Sequence, residues 1–413
     1  MAVCGIDFGT SNSSIGILRD GAPFVVPLDK GPASPSALFF RTDGQPLFGR
    51  AAIAAYTEGE QGRFMRALKS MLGHSALAST TMINRKRVPF SDIITHYLRY
   101  LKQAGEAAAG EELTSVVLGR PVSYVDGDPE ADADAESAME TIARKAGFRD
   151  VAFVFEPVAA AEAHSGSLAP GDTVLVVDLG GGTADFSLLR QETAGAAPRI
   201  LGNAGVHVGG TDIDYRLNVD FLMPLMGCGG EMEDAFRSKV LPIPKWYFLD
   251  LATWQKIPLM YDGKIRTQLR EIRALALEPE KIERFIAVLD QHDGHRLAGD
   301  AEAAKIALSD LDATRVDLDY VEPGLAVDIA RAAYEASAAP LIERMVASSL
   351  SLLSDLGEDP AHVDTILMTG GTSQVPQIQR GFREAYPNAA MQMEDLFATV
   401  CTGLTVKAAT AFG

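Results

Sequence analysis

Two distant stretches of this chain can be laid one on the other. GIDFGTSNSSIGIL begins at Gly5 and VVDLGGGTADFSLL begins at Val176. Asp7 falls on Asp178, Gly9 on Gly180 and Ile15 on Phe186. Each stretch reads as an apolar strand ending in Asp, a turn of glycine and small polar residues, and a second strand. An internal repeat of this kind calls for two similar lobes. A third glycine turn, TILMTGGTSQVP, follows another apolar strand and carries Gly370 and Gly371.

The turns suggest what they hold. Glycines let backbone N–H groups come close to a ligand, and small hydroxyl residues add donors. An Asp at the end of each strand cannot serve a phosphate directly, because like charges repel. It can serve one through Mg²⁺, which keeps its waters and takes one or two carboxylates plus phosphate oxygens. Asp7 and Asp178, with the two turns, therefore form a coherent Mg²⁺–nucleotide site. One such turn alone would be an ordinary hairpin. Two matched turns and a third glycine turn are hard to assign to coincidence.

Other nucleotide and metal motifs are absent. There is no GxxxxGK[ST] and no GxGxxG after a strand. The acidic stretch DGDPEADADAES lacks the turn glycine and closing glutamate of a calcium loop, and reads as a helix start. The seven histidines show no paired metal spacing, and His164 and the others read as structural or surface residues. Cys4, Cys228 and Cys401 are too far apart and too few for a disulfide framework or a zinc site. A formal net charge of -18 disfavours nucleic acid and anionic membrane as partners. With no leader pattern and no long apolar run, a soluble cytoplasmic protein is expected.

At 413 residues and 47% hydrophobic, the chain is long enough for more than one domain. Residues 2 to 28 read as three strands, the second and third joined by an Asp-Gly hairpin turn. Helical spacing marks 91 to 110 and the acid-led stretch from Asp128, and SVVLGRPV and VAFVFEP read as strands. Residues 212 to 310 change character, mostly helical with many charges, and read as an inserted subdomain. WYFLDLATW within it reads as core, with an interaction surface as the second reading. Residues 324 to 356 read as a long helical region interrupted near Pro340. LTVKAATAF is a closing helix. Strands alternate with helices, so the class is α/β.

These turns, in this order, resemble the actin-like ATPase superfamily and, within it, the seventy-kilodalton heat-shock chaperone family. The family's first phosphate loop resembles GIDFGTSNS, its second DLGGGTADFS, its adenosine motif LMTGGTSQVP and its inter-lobe motif EPVAAAEAHSG. A further family loop resembles VHVGGTDID, with Gly209 and Gly210. The resemblance implies an actin-like, ribonuclease H-like fold of two lobes with a nucleotide cleft between them. Lobe I would span 1–162, with a subdomain at about 36–90 and the closing helix 394–413 returning to it. Lobe II would span 163–393, with an inserted subdomain at about 212–310.

Carried over residue by residue, the resemblance makes Asp7 and Asp178 the metal-water aspartates. Gly9, Thr10, Ser11 and Asn12, then Gly180, Gly181, Gly182 and Thr183, become the phosphate loops. Lys69 in LKSMLG matches the catalytic lysine, Glu156 the carboxylate at the lobe crossing, and Asp185 an acid near the attacking water. Glu302, Lys305 and Ser309 match the adenosine helix, and their spacing puts them on one helix face. Gly370, Gly371 and Thr372 match the adenosine turn. Gln374 stands where the family has an adenine-stacking arginine, which removes a cation–π face. The arginine that pairs with the family's switch proline has no match: Pro121 is present, with Glu136 near the arginine's place. Gly413 follows just after the closing helix, so the chain is expected to lack the family's peptide-binding domain and resembles its short YegD-like branch.

The implied function is an ATP-binding, slowly ATP-hydrolysing chaperone-like protein using ATP/ADP and Mg²⁺. Lobe closure would follow the nucleotide, the chain would be a monomer, and a client or co-chaperone would be its protein partner. Three other readings stay open: a sugar-type small-molecule kinase, a filament-forming actin-like protein, and a nucleotide scaffold with little turnover. The matched adenosine helix favours the chaperone branch over the kinase.

Overall fold

The computed structural model describes the chain except residues 1, 30, 67, 73–76, 78, 126–127, 164–167, 195, 197, 255, 394–397 and the side chain of Ser70. His164, Gly73 of the Lys69 motif, and Asp126 and Gly127 of the acidic stretch lie outside the described residues.

The repeat in the sequence is a repeat of sheets. The first sheet runs Asp150–Phe155, Leu113–Arg120, Ala2–Phe8, Asn12–Arg19, Ala22–Val25, with the short Ser34–Pro35 strand also paired to Asn12–Arg19. The second runs Ala390–Met393, Thr365–Thr369, Thr173–Leu179, Ala184–Arg190, Arg199–Val206. In each, three strands form an antiparallel meander, and two further strands join the first of them in parallel. The register agrees as well: Asp7 lies opposite Ser14 and Asp178 opposite Asp185. Strands buried on both faces need continuous apolar runs, and VVLG and VLVV supply them. The Asp20-Gly21 turn has left-handed backbone at both residues, as a two-residue hairpin requires.

Helices Phe90–Ala109 and Pro129–Ala146 pack Tyr97, Leu98, Leu101, Met139 and Ile142 against Ile6, Ile15 and Ile17 of the first sheet. Asp128 caps the second of these helices by accepting from the Ala131 N–H at 3.1 Å. Helix Glu156–Ala163 is apolar on two sides. Ala159 packs with Leu404 and Ala408 of the closing helix Thr399–Phe412. Ala160 and Ala161 pack with Val174, Val176 and Leu367 of the second sheet. The closing helix sits close on the first sheet because Gly5 and Gly16 have no side chain there: a Cβ on either would collide with Leu404 or Thr405.

The chain divides into two compact units: Met1–His207, Val346–Ser373 and Phe382–Gly413 form the first, Val208–Met345 and Gln374–Gly381 the second. Both large sheets belong to the first unit. The second is mostly helical, as the sequence suggests, with two hairpins the sequence does not announce, Glu231–Glu233 with Val240–Pro242 and Ala313–Asp317 with Ala326–Ala330. Within WYFLDLATW, helix Trp246–Ala252 buries Tyr247, Phe248 and Leu251 and leaves Trp246 43% exposed, so the stretch is core with one outward ring.

One expectation is corrected. Residues 331 to 356 form one continuous helix, with Pro340 inside it, and 326 to 330 are a strand. Proline forfeits a single backbone hydrogen bond and crowds the preceding turn. The residues of that turn, Ala336, Ser337, Ala338 and Ala339, are small enough to make room for the ring. No helix among the described residues is long and apolar enough to cross a membrane.

Candidate nucleotide site

The first turn is braced from outside. Ser36 donates its Oγ–H to the Gly9 carbonyl at 2.6 Å and its N–H to the Ser11 carbonyl at 2.9 Å, and its Oγ lies 2.8 Å from that of Ser13. Only glycine fits at position 9, since a Cβ there would collide with the Asn12 carbonyl. The second turn closes on itself, with Gly180 N–H donating to the Thr183 carbonyl at 2.9 Å. The third turn is tied to the second: Thr372 donates its hydroxyl to the Gly180 carbonyl at 2.9 Å. Gly370 has left-handed backbone, φ 81°, with no room for a Cβ against Leu179.

Five ionisable groups gather at these turns. Lys69, on the short helical turn Leu68–Met71, donates to Glu156 Oε1 at 2.6 Å, and both side chains are about nine-tenths buried. Asp178 Oδ1 accepts from Thr369 Oγ1 at 3.0 Å, and Asp185 Oδ2 accepts from Thr183 Oγ1 at 2.9 Å. Burial pushes the Asp7 carboxyl up to about 7, with Glu156 and Asp178 adding to the shift and Lys69 opposing it. Burial likewise raises Asp185 to about 7, helped by Asp178. Asp178 is raised by burial and by Glu156, against the Thr369 hydrogen bond. Burial pulls the Lys69 ammonium down, but Glu156 and Asp7 outweigh it and hold it above the usual lysine range. Four carboxylates facing one ammonium leave an excess of buried negative charge, which a cation would offset.

Among the described residues no group of three or more His, Cys, Asp or Glu side chains is gathered to hold a metal ion directly. The donors present, carboxylates at the ends of two strands, fit Mg²⁺ held through its waters.

The second unit carries the rest of the expected residues. Gly209 donates its N–H to Asp212 Oδ2 at 2.8 Å, opening helix Gly210–Leu217. Glu302, Lys305 and Ser309 share one half-buried face of helix Gly294–Asp310. Lys305 pairs with Asp214 at 2.7 Å, and Ser309 donates to the Lys305 carbonyl at 3.3 Å. Gln374 is exposed.

Several participants were not singled out from the sequence. Thr369 and Asp214 lie inside the quoted motifs LMTGG and GGTDID, so their neighbours were the signal. Ser36 carries no local signal. Arg120 is also new: it pairs with Asp132 at 2.6 Å and with Glu136, donates to the Pro121 carbonyl at 3.1 Å, and lies over the rings of Tyr124 and Phe155. Glu136, which stands near the place of the family's switch arginine, thus binds an arginine instead.

A family model described as Hsp70 protein matches residues 80–227 and 276–413. The chain belongs to the Hsp70 family. The match takes in the second phosphate loop, Glu156, the Gly209-Gly210 loop, the Glu302–Ser309 face and the Gly370-Gly371 turn. The first loop and Lys69 precede the matched residues, and their place beside Asp178 and Glu156 comes from the geometry above. Members of the Hsp70 family are ATP-binding chaperone proteins with ATPase activity, so the mixed α/β sheets described here are those of an actin-like ATPase fold.

Proposed function

We propose that this Hsp70-family chain binds Mg²⁺–ATP at the three turns, hydrolyses it slowly, and uses the nucleotide state to control binding of a protein partner. The observation that carries the reading is the convergence of Lys69, Glu156, Asp7, Asp178 and Asp185 on two matched strand–turn–strand units. Mg²⁺, when bound, supplies charge neutralisation at the phosphates. The chain does the positioning, which is most of the catalysis in phosphoryl transfer. Glu156 fixes the Lys69 ammonium, which stabilises negative charge on the transferred group. Thr369 fixes Asp178. The first turn, held by Ser36, and the second, held by Thr183, present hydroxyl and backbone donors from Thr10, Ser11, Asn12 and Gly181. Glu156 is engaged by the Lys69 ammonium, whereas Asp185, next to the second phosphate turn, meets only the neutral Thr183 hydroxyl and has a carboxyl raised to about 7, which is matched to accepting the water's proton.

The half-buried face of Glu302, Lys305 and Ser309 is proposed to take the adenosine, with Asp214 orienting Lys305. The lobe division at 1–162 and 163–393, the closure of those lobes on nucleotide, and a cytoplasmic monomer belong to the same proposal. The test is ATP turnover of the whole chain against Lys69→Ala and Asp178→Ala. Each variant is expected to lose about a hundredfold to a thousandfold in kcat, the scale of one lost charge-stabilising group. Turnover that survives both changes would sink the site assignment.

A further inference from the structure

The two matched units differ at one position that the repeat places face to face with each strand-end aspartate. Across from Asp178 stands Asp185; across from Asp7 stands Ser14. Directly opposed residues of an antiparallel pair project to the same face with Cβ atoms about 5 Å apart, so Ser14 relates to Asp7 as Asp185 relates to Asp178. Asp185 has a local partner in the Thr183 hydroxyl. Ser14 has only a thiol beside it. It is 1% exposed, and its Oγ finds no oxygen or nitrogen partner among the described residues. The Cys401 thiol lies against it, a weak acceptor; Cys401 Sγ–H donates to the Gly5 carbonyl at 3.8 Å, and Thr405 Oγ1 donates to the Cys401 carbonyl at 2.7 Å. A buried hydroxyl matched only by a thiol is poorly satisfied, and a partner that arrives with a ligand would complete it.

We infer that Ser14 is a positioning residue for the hydrated cation: its hydroxyl bonds to the Asp7 carboxylate or to a water that Asp7 holds once Mg²⁺–nucleotide is bound. The choice of serine follows from charge. The cluster already opposes four carboxylates to one ammonium, and a second acid in the first unit, mirroring Asp185, would add repulsion where a neutral donor and acceptor can order a water. This inference rests on the proposed nucleotide reading and names a residue that reading does not include.

The test is Mg²⁺ titration of ADP binding to the whole chain, followed by fluorescence of a labelled ADP, for wild type, Ser14→Ala and Ser14→Thr. Thermal unfolding without ligand is measured beside it. Ser14→Ala should raise the Mg²⁺ concentration for half-maximal binding roughly threefold to tenfold, the scale of one hydrogen bond, and leave Mg²⁺-free ADP binding unchanged. Ser14→Thr, which keeps the hydroxyl, should restore the wild-type titration. Without ligand, Ser14→Ala should unfold at the same temperature as wild type or higher, because a poorly matched buried hydroxyl has been removed. A Ser14→Ala titration that overlays wild type overturns the inference. So does a lowered unfolding temperature with equal weakening of ADP binding with and without Mg²⁺, since that marks a structural hydroxyl. Wild type that shows no Mg²⁺-dependent ADP binding instead takes down the nucleotide reading itself.

Discussion

Lys69 and Glu156 are separated by 87 positions in sequence and by 2.6 Å in the fold. Because both are nearly buried, the pair is worth most when one member is missing: the survivor is left charged in a poorly solvated place. Here Asp7 remains as a second counter-charge for Lys69, and the loss of Glu156 relieves its repulsion with Asp7 and Asp178. Glu156→Ala is therefore expected to cost less in chemical denaturation than the roughly 3–5 kcal/mol of a buried pair broken outright, and Glu156→Gln, which keeps an acceptor for the ammonium, less still. Asp185 behaves in the opposite way. Its folded-state carboxyl titrates near 7 against an ordinary value of 3.8, so above pH 7 the folded state carries a charge that the unfolded state solvates better. Between the two values the folded state binds more protons than the unfolded one, and stability falls as pH rises. Asp185→Asn should thus stabilise the ligand-free protein at pH 8, by on the order of 2 kcal/mol, with the gain shrinking toward zero below pH 4. An equal gain at both pH values would show that burial of charge is not the cause.

At the scale of elements, the closing helix Thr399–Phe412 shows how little space the fold leaves. A Cβ on Gly403 would run into the Ala159 carbonyl of the neighbouring helix. Gly403→Ala is expected to destabilise by about 1–3 kcal/mol, the usual scale of overpacking, despite the better helix propensity of alanine. Pro340 is the reverse case. It sits inside helix Arg331–Leu356 without breaking it, at the expense of one backbone hydrogen bond. Pro340→Ala should raise the unfolding temperature, by an equivalent of about 1–3 kcal/mol. A drop would mean that the ring packs usefully where it lies. Sequence periodicity located this helix but misread its proline, because propensity describes an isolated helix and the small residues before Pro340 set the local outcome.

At the scale of the whole molecule, a ligand that binds only the folded chain stabilises it by mass action. Mg²⁺–ADP at one hundred times its Kd should add about 2.7 kcal/mol. Hydrogen exchange is expected to slow at both phosphate turns together, since both lie in the first compact unit; protection of one turn alone would contradict a shared site. Much of this unit was legible beforehand. The strands, the glycine turns and the two strand-end aspartates follow from short continuous apolar runs and small residues, which are local properties. The repeat also let one strand–turn–strand unit predict the other. What the sequence by itself determined, then, was a doubled α/β framework with an acidic, glycine-lined turn at the end of each first strand. The tertiary structure alone decided which side chains meet there: Lys69 with Glu156, Thr369 with Asp178, Ser36 under the first turn, and Ser14 buried opposite Asp7 with only the Cys401 thiol beside it. These contacts join residues far apart in the chain. They depend on strand register and on how closely helices approach the sheets, and neither is written in any short stretch of residues.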